Sequence, residues 1–190
     1  MTLTPSQQVL GLALFRISPV FLAAVSGTFS YISHEFVAAF KHRAVSLEAR
    51  QAVLPGWWDH IRHVSLPVIW LSFIPNFLLG LANARSSTLW GWLGDGSVGA
   101  VGPLAANLYT IAGIVSIAYF PHTIYRGFVP LQTKAIMVEN VSKEKREHAL
   151  NEFLRMDFQR MWTAGFPVCI LFLAAVTVWV ADQLEWSGRD

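Results

Sequence analysis

Apolar residues in this chain gather into four blocks, each near the ~20 residues of helix that the hydrocarbon core of a bilayer requires. They cover residues 9–33, 66–84, 99–120 and 165–181. A segment surrounded by hydrocarbon must satisfy its backbone hydrogen bonds internally, so each block is predicted to be a helix. The second block opens at Leu66-Pro67 and the third closes at Pro121. The connecting segments 34–65 and 121–164 are polar but patterned. In the first, Pro55-Gly56 predicts a turn ahead of Trp57-Trp58. In the second, Leu150, Phe153, Leu154, Phe158 and Met161 recur at i, i+3, i+4 spacing. That pattern predicts an amphipathic helix from Ser142 to Trp162, lying on the membrane surface and leading into the last span. The expected fold is all-α, an integral membrane four-helix bundle in a single domain over residues 1–190, with an amphipathic cytosolic surface helix before the last span.

Charge supplies an independent check on the span count. Only 14% of residues are charged and 54% are hydrophobic, where a soluble domain carries about 25% charge. Eleven of the fourteen Lys and Arg residues fall in the two segments after spans one and three. An even span count places these segments on one side, and the excess of basic residues makes that side cytosolic. Both termini are then non-cytosolic, and the endoplasmic reticulum or another endomembrane is the expected location. Trp57, Trp58 and Trp162 fit one interfacial belt and Trp90, Trp92 and Trp186 the other. A net charge of +2 gives no reason to expect a nucleic-acid partner. Cys169 is the only cysteine, so a Cys-x-x-Cys redox pair within the chain is excluded. The first apolar block lacks a basic lead-in and is read as a retained span.

Polar residues inside the blocks are expected to face one another. Ser26, Ser30 and Ser33 form a stripe that ends beside His34; Ser72, Asn76 and Asn83 form another, and Asn107 with Thr110 a third, with Tyr109 adjacent. Arg16 lies inside the first span, and its simplest reading is a cation snorkelling to the non-cytosolic headgroups. All six histidines fall in the cytosolic half: His34, His42, His60, His63, His122 and His148. A haem near each membrane face therefore has no histidine on the non-cytosolic side. His60 and His63, at i, i+3, are the metal-ligand candidates. His34 and His122 sit where a polar stripe meets the interface, and a neutral imidazole there is a candidate general base.

The end of the third block reads Pro121-His122-Thr123-Ile124-Tyr125-Arg126-Gly127-Phe128-Val129-Pro130-Leu131-Gln132. This resembles the Pro-x-Thr, six-residue gap, Pro-x-Asn signature of the anthrone oxygenase-like integral membrane family, with Gln132 in the place of the Asn. Gly27-Thr28-Phe29-Ser30 resembles that family's Gly-x-x-Ser stretch, and Trp57-Trp58-Asp59-His60 its aromatic lead-in to the second helix. Phe153-Leu154, Phe158, Met161-Trp162 and Phe166-Pro167 look like its amphipathic approach to the last helix.

The resemblance implies oxidation of an anthrone-like phenolic polyketide to a quinone by O2, without flavin or haem. The small aromatic substrate would be drawn from the membrane lipid. His34 or His122 would act as base, Asn76, Thr123 and Gln132 would bind carbonyl and phenol groups, Trp58 and Trp162 would stack on the rings, and Arg126 would stabilise the anion. Two other classes of function fit the same pattern: a metal-dependent membrane enzyme using the clustered histidines, and a non-catalytic four-span protein that binds lipid or a partner.

Overall fold

The computed structural model describes residues 4–86, 100–125, 136 and 141–187, and no strand occurs among them. The helices are α1 (Pro5–Ala39), α2 (Leu47–Ala84), α3 (Pro103–Tyr125), α4 (Lys143–Arg160) and α5 (Phe166–Ser187), with a π-helical turn, Met161–Gly165, joining the last two. Two stretches are long and apolar enough to cross a membrane, Ser6–Ala39 and Lys143–Glu185; Leu71–Ala84 and Pro103–Ala118 are shorter apolar helices.

Local chemistry fixes where the helices begin. Thr4 and Gln7 form a reciprocal capping box: the Thr4 hydroxyl accepts from the Gln7 amide at 3.3 Å, and the Gln7 side chain accepts from the Thr4 amide at 2.9 Å. Ser46 caps α2 by accepting from the Ala49 amide, and Ser142 caps α4 by accepting from that of Lys145.

Two expectations about proline are corrected. Pro55-Gly56 does not turn the chain; α2 runs through it, and also through Pro67 and Pro75. Pro121 likewise lies inside α3 rather than ending it. A helical proline leaves the carbonyl four residues earlier without its usual donor, and side chains supply one for Pro55 and for Pro19 of α1. Arg146 of α4 donates to the Gln51 carbonyl at 3.5 Å and to the Gln51 side chain at 2.7 Å. Pro19 frees the Phe15 carbonyl, which accepts from Asn83 Nδ2 at 3.2 Å and Ser18 Oγ at 2.9 Å. The turn signal at Pro55 is thus overridden by a donor from a distant helix.

The amphipathic segment leads directly into the last apolar helix, the order expected of it. Lys143–Glu185 is helical throughout, 43 residues interrupted only by the widened π-turn. Pro167, which has no N–H to return to Thr163, follows directly, and the Phe166 amide bonds back to the Met161 carbonyl instead.

Helices α1, α2, α3 and α5 pack in cyclic order, each against the next, and α4 lies on the C-terminal end of α1. Arg16 near the start of α1 meets Asn83 at the end of α2, so these two run antiparallel; Tyr109 near the start of α3 meets the same Arg16. Helices α2 and α3 approach each other closely. A Cβ on Gly80 would lie 2.7 Å from the Tyr109 carbonyl oxygen and 2.8 Å from Gly113 Cα, so the two backbones touch there. One core cluster gathers Ala23, Tyr109, Ala112, Val168, Phe172 and Ala175; the other gathers Val37, Leu54, Trp58, Ile136, Ala149 and Leu150. Outward positions such as Phe21, Leu71, Leu78, Ile114 and Ile170 are apolar and exposed.

Candidate functional site

Among the described residues, a buried charged group stands at each end of the bundle. At one end Arg16, fully buried, donates to the Asn83 backbone carbonyl at 2.7 Å, to Asn83 Oδ1 at 3.4 Å and to Ser86 Oγ at 2.5 Å. Its guanidinium lies 5.7 Å from the ring centre of Tyr109 and 5.5 Å from that of Trp179. Tyr109 in turn donates its hydroxyl to the Arg16 backbone carbonyl at 3.1 Å. Arg16 therefore does not snorkel. Carbonyl, amide, hydroxyl and two aromatic faces from three other helices give it a better site than the headgroups.

At the other end, His34 in the last turns of α1 places Nδ1 3.3 Å from Asp157 Oδ2. The side chains of His34 and Asp157 are 13% and 3% exposed, and the second carboxylate oxygen of Asp157 pairs with Arg160 one turn along α4. The His34–Asp157 distance is that of an ion pair, but the groups fall short of hydrogen-bond alignment. The His34 ring faces Phe158 with 6.1 Å between centroids; Phe158 faces Trp162 at 6.1 Å, and Trp162 faces Phe166 at 5.1 Å. This aromatic row follows the π-turn from the imidazole to the wall of an apolar groove of about 410 Å³ between α1 and α5. Gly27, Thr28 and Tyr31 line it from α1, and Phe166 and Cys169 from α5, with Gly165 of the π-turn. Tyr31 precedes His34 by one helical turn. Neither Gly27 nor Gly165 has any atom within 4 Å of an added Cβ, so the groove is open where those side chains would stand.

The predicted stripes are partly reproduced. Ser26, Ser30, Ser33, Ser72, Asn76 and Asn83 are buried, as is Tyr109, whereas Asn107 is exposed and Thr110 bonds its hydroxyl back to the Ala106 carbonyl at 2.9 Å. Asn107 therefore leaves the inward face to Tyr109. Asn76 is buried, and its Oδ1 accepts no hydrogen bond among the described residues.

Trp58 is neither interfacial nor open to a ligand. It is enclosed in the core cluster, edge-on to Phe153 at 4.5 Å. Trp162 is exposed, in the aromatic row. His60 and His63 are exposed on α2, and His63 Nδ1 lies 2.7 Å from the Asp59 carbonyl oxygen. Among the described residues, no three His, Cys, Asp or Glu side chains converge. His122 and Thr123 lie on the last turns of α3, with side chains outside the described set; Arg126 and Gln132 lie outside the described residues.

The sequence pattern alone does not single out Asp157, although a signal is present. Asp157 falls on the stripe of Leu150, Phe153, Leu154 and Met161, where an acid is out of place on an apolar face. On the exposed face of α4, Glu144 is held below the usual carboxylate range by its backbone amide and by Ser142, and Glu152 by the hydrogen bond from Arg155. No family model, no characterised protein and no solved structure matches this chain.

Proposed function

We propose that this protein crosses the membrane four times and oxidises an anthrone-like phenolic substrate to a quinone with O2. Helices α1, α2, α3 and α5 are the spans, both termini are non-cytosolic, and the endoplasmic reticulum or another endomembrane is the site of action. The apolar outward faces of all four helices and the basic residues of the two connecting segments support the topology.

The observation that carries the activity is the aromatic row running from His34 to an open apolar groove. A flat apolar ring system partitions into the bilayer, and a groove of this size is in the usual range for ligand sites, about 300–1,000 Å³. Glycines at its floor leave room, and aromatic edges and faces suit a planar guest. His34 is the base. It removes a proton from the benzylic CH2 opposite the carbonyl, and the electron pair is delocalised into an aromatic phenolate. The anion passes one electron to O2, and recombination of the two radicals forms a C–O bond. The imidazolium returns its proton to the resulting peroxide anion, and the hydroperoxide so formed loses water, leaving the second carbonyl of the quinone. Overall, one CH2 and one O2 become one C=O and one H2O. His122 at the end of α3 is the second candidate base.

Membranes containing the protein, incubated with an anthrone under O2, should form quinone faster than protein-free membranes, and no faster under argon. His34→Ala should lower the enzymatic rate by about 100-fold or more, the usual contribution of a general base. A quinone signal at the spontaneous rate under O2 refutes the activity.

A further inference from the structure

We infer that Asp157, clamped by Arg160, is the positioning residue that fixes the ring orientation and tautomer of His34. The inference rests on the reading of His34 as the base, but its geometry can be tested separately. His34 Nδ1 and Asp157 Oδ2 are both shielded from solvent, 3.3 Å apart, and neither makes a hydrogen bond to any other described group. Two facing lone pairs in a buried site would repel, and each would be left desolvated without a partner. Arg160 occupies the other carboxylate oxygen, so the proton between the pair belongs on the ring. With Nδ1 protonated and turned to Asp157, Nε2 carries the free lone pair.

That arrangement suits proton abstraction in two ways. The substrate C–H bond breaks and an Nε2–H bond forms, giving an imidazolium whose positive charge lies against the Asp157 carboxylate. The same contact fixes the ring about its bond to the helix, so Nε2 does not have to search for the reacting carbon. The clamp also has a structural origin. Asp157 and Arg160 occupy the turn immediately before the π-turn. The widened turn that carries Trp162 toward Phe166 therefore starts at the residue that holds the carboxylate.

The test is 15N NMR of histidine-labelled protein in lipid nanodiscs, with His34 assigned by its loss in His34→Ala. Wild-type His34 should show a protonated Nδ1 and an unprotonated Nε2. In Asp157→Asn and Asp157→Leu the ratio of the two tautomers should fall roughly tenfold or more, as expected for loss of the carboxylate charge facing Nδ1 at 3.3 Å. Arg160→Gln keeps the carboxylate and removes its clamp, and should shift the ratio in the same direction by less. It also serves as the working variant if the Asp157 variants do not fold. An Nε2–H tautomer in the wild type, or a ratio indifferent to Asp157→Asn, Asp157→Leu and Arg160→Gln, overturns the inference. A tautomer shift in protein that forms no quinone upholds the positioning role and refutes the oxygenase reading instead. Where quinone does form, the rate should follow the tautomer ratio across the variants.

Discussion

The Arg16 end and the His34 end both bury a charge among helices, yet they differ in how fully the charge is engaged. Arg16 is met from α2 by a backbone carbonyl and a side-chain amide, by the Ser86 hydroxyl just beyond that helix, and by aromatic faces from α3 and α5. The ring of His34 has a carboxylate on one nitrogen and a phenylalanine beside it, and among the described residues its other nitrogen makes no hydrogen bond. The first site ties four helices together. The second is tied on one side and left available on the other. The more fully bonded cluster specifies packing, whereas the less bonded one retains chemistry.

The glycines repeat the contrast. Gly80 and Gly113 let two backbones meet, and Gly27 and Gly165 border open space. One pair closes the bundle and the other keeps a groove accessible.

The sharpest way to break this comparison is to damage each end once. Asn83→Leu removes an acceptor from the buried Arg16 cation and the donor that serves the Phe15 carbonyl. The expected cost is about 2–4 kcal/mol, since each buried group left without one of its partners costs about 1–3 kcal/mol and Arg16 keeps the Asn83 carbonyl and Ser86. Asp157→Asn keeps the shape of the side chain and leaves Arg160, 12% exposed, an amide oxygen in place of the carboxylate, so its cost should be about 1–2 kcal/mol. Reversible unfolding in mixed micelles, followed by tryptophan fluorescence, measures both. Equal losses would mean that the two ends have the same structural weight.

The next effect concerns the glycines. Gly80→Ala forces a methyl group against the Tyr109 carbonyl and Gly113 Cα, which are backbone atoms unable to rotate away. It should destabilise by about 1–3 kcal/mol. Gly27→Ala meets nothing within 4 Å and improves helix propensity, so it should be stabilising by about 0.5–1 kcal/mol. The same unfolding assay gives the signs. Destabilisation by Gly27→Ala would show that the groove is not open at that position.

Much of this contrast can be read from the chain, and the remainder has a physical reason for being hidden. The apolar blocks announce α1, α3 and α5, because a long run of apolar residues leaves few alternatives to a helix in lipid. The inward stripe of Ser26, Ser30 and Ser33 follows from helical periodicity, and so does the burial of Asn76 and Asn83. The N-terminal half of α2 is not legible. Pro55-Gly56 is a strong local turn signal, and what offsets it is an arginine on α4. Arg16 misleads for the same reason: snorkelling is the default for a lone cation in a span, and only the fold supplies the acceptors at Asn83 and Ser86. Asp157 is legible as an anomaly on an apolar stripe, but the identity of its partner is settled by the packing of α4 on α1.

The smallest expected effect separates the ends by pH. The carboxyl of Glu144 lies below the ordinary value of 4.5, chiefly through its backbone hydrogen bond and then through Ser142. A carboxyl depressed in the folded state favours folding above its unfolded value, and that contribution is lost as pH falls through the folded value. Acidification below the ordinary carboxylate value should therefore loosen the first turn of α4, which Ser142 caps and which Arg146 links to Gln51. The Arg16 cluster pairs its cation with carbonyl, amide, hydroxyl and aromatic groups, none of which titrates in that window. Amide hydrogen exchange, corrected for its intrinsic pH dependence, should show faster exchange at Lys145 and Arg146 on acidification, with Asn83 and Tyr109 unchanged. Faster exchange at Tyr109 first would place the acid-sensitive end of the bundle at Arg16 and reverse the assignment of the two ends.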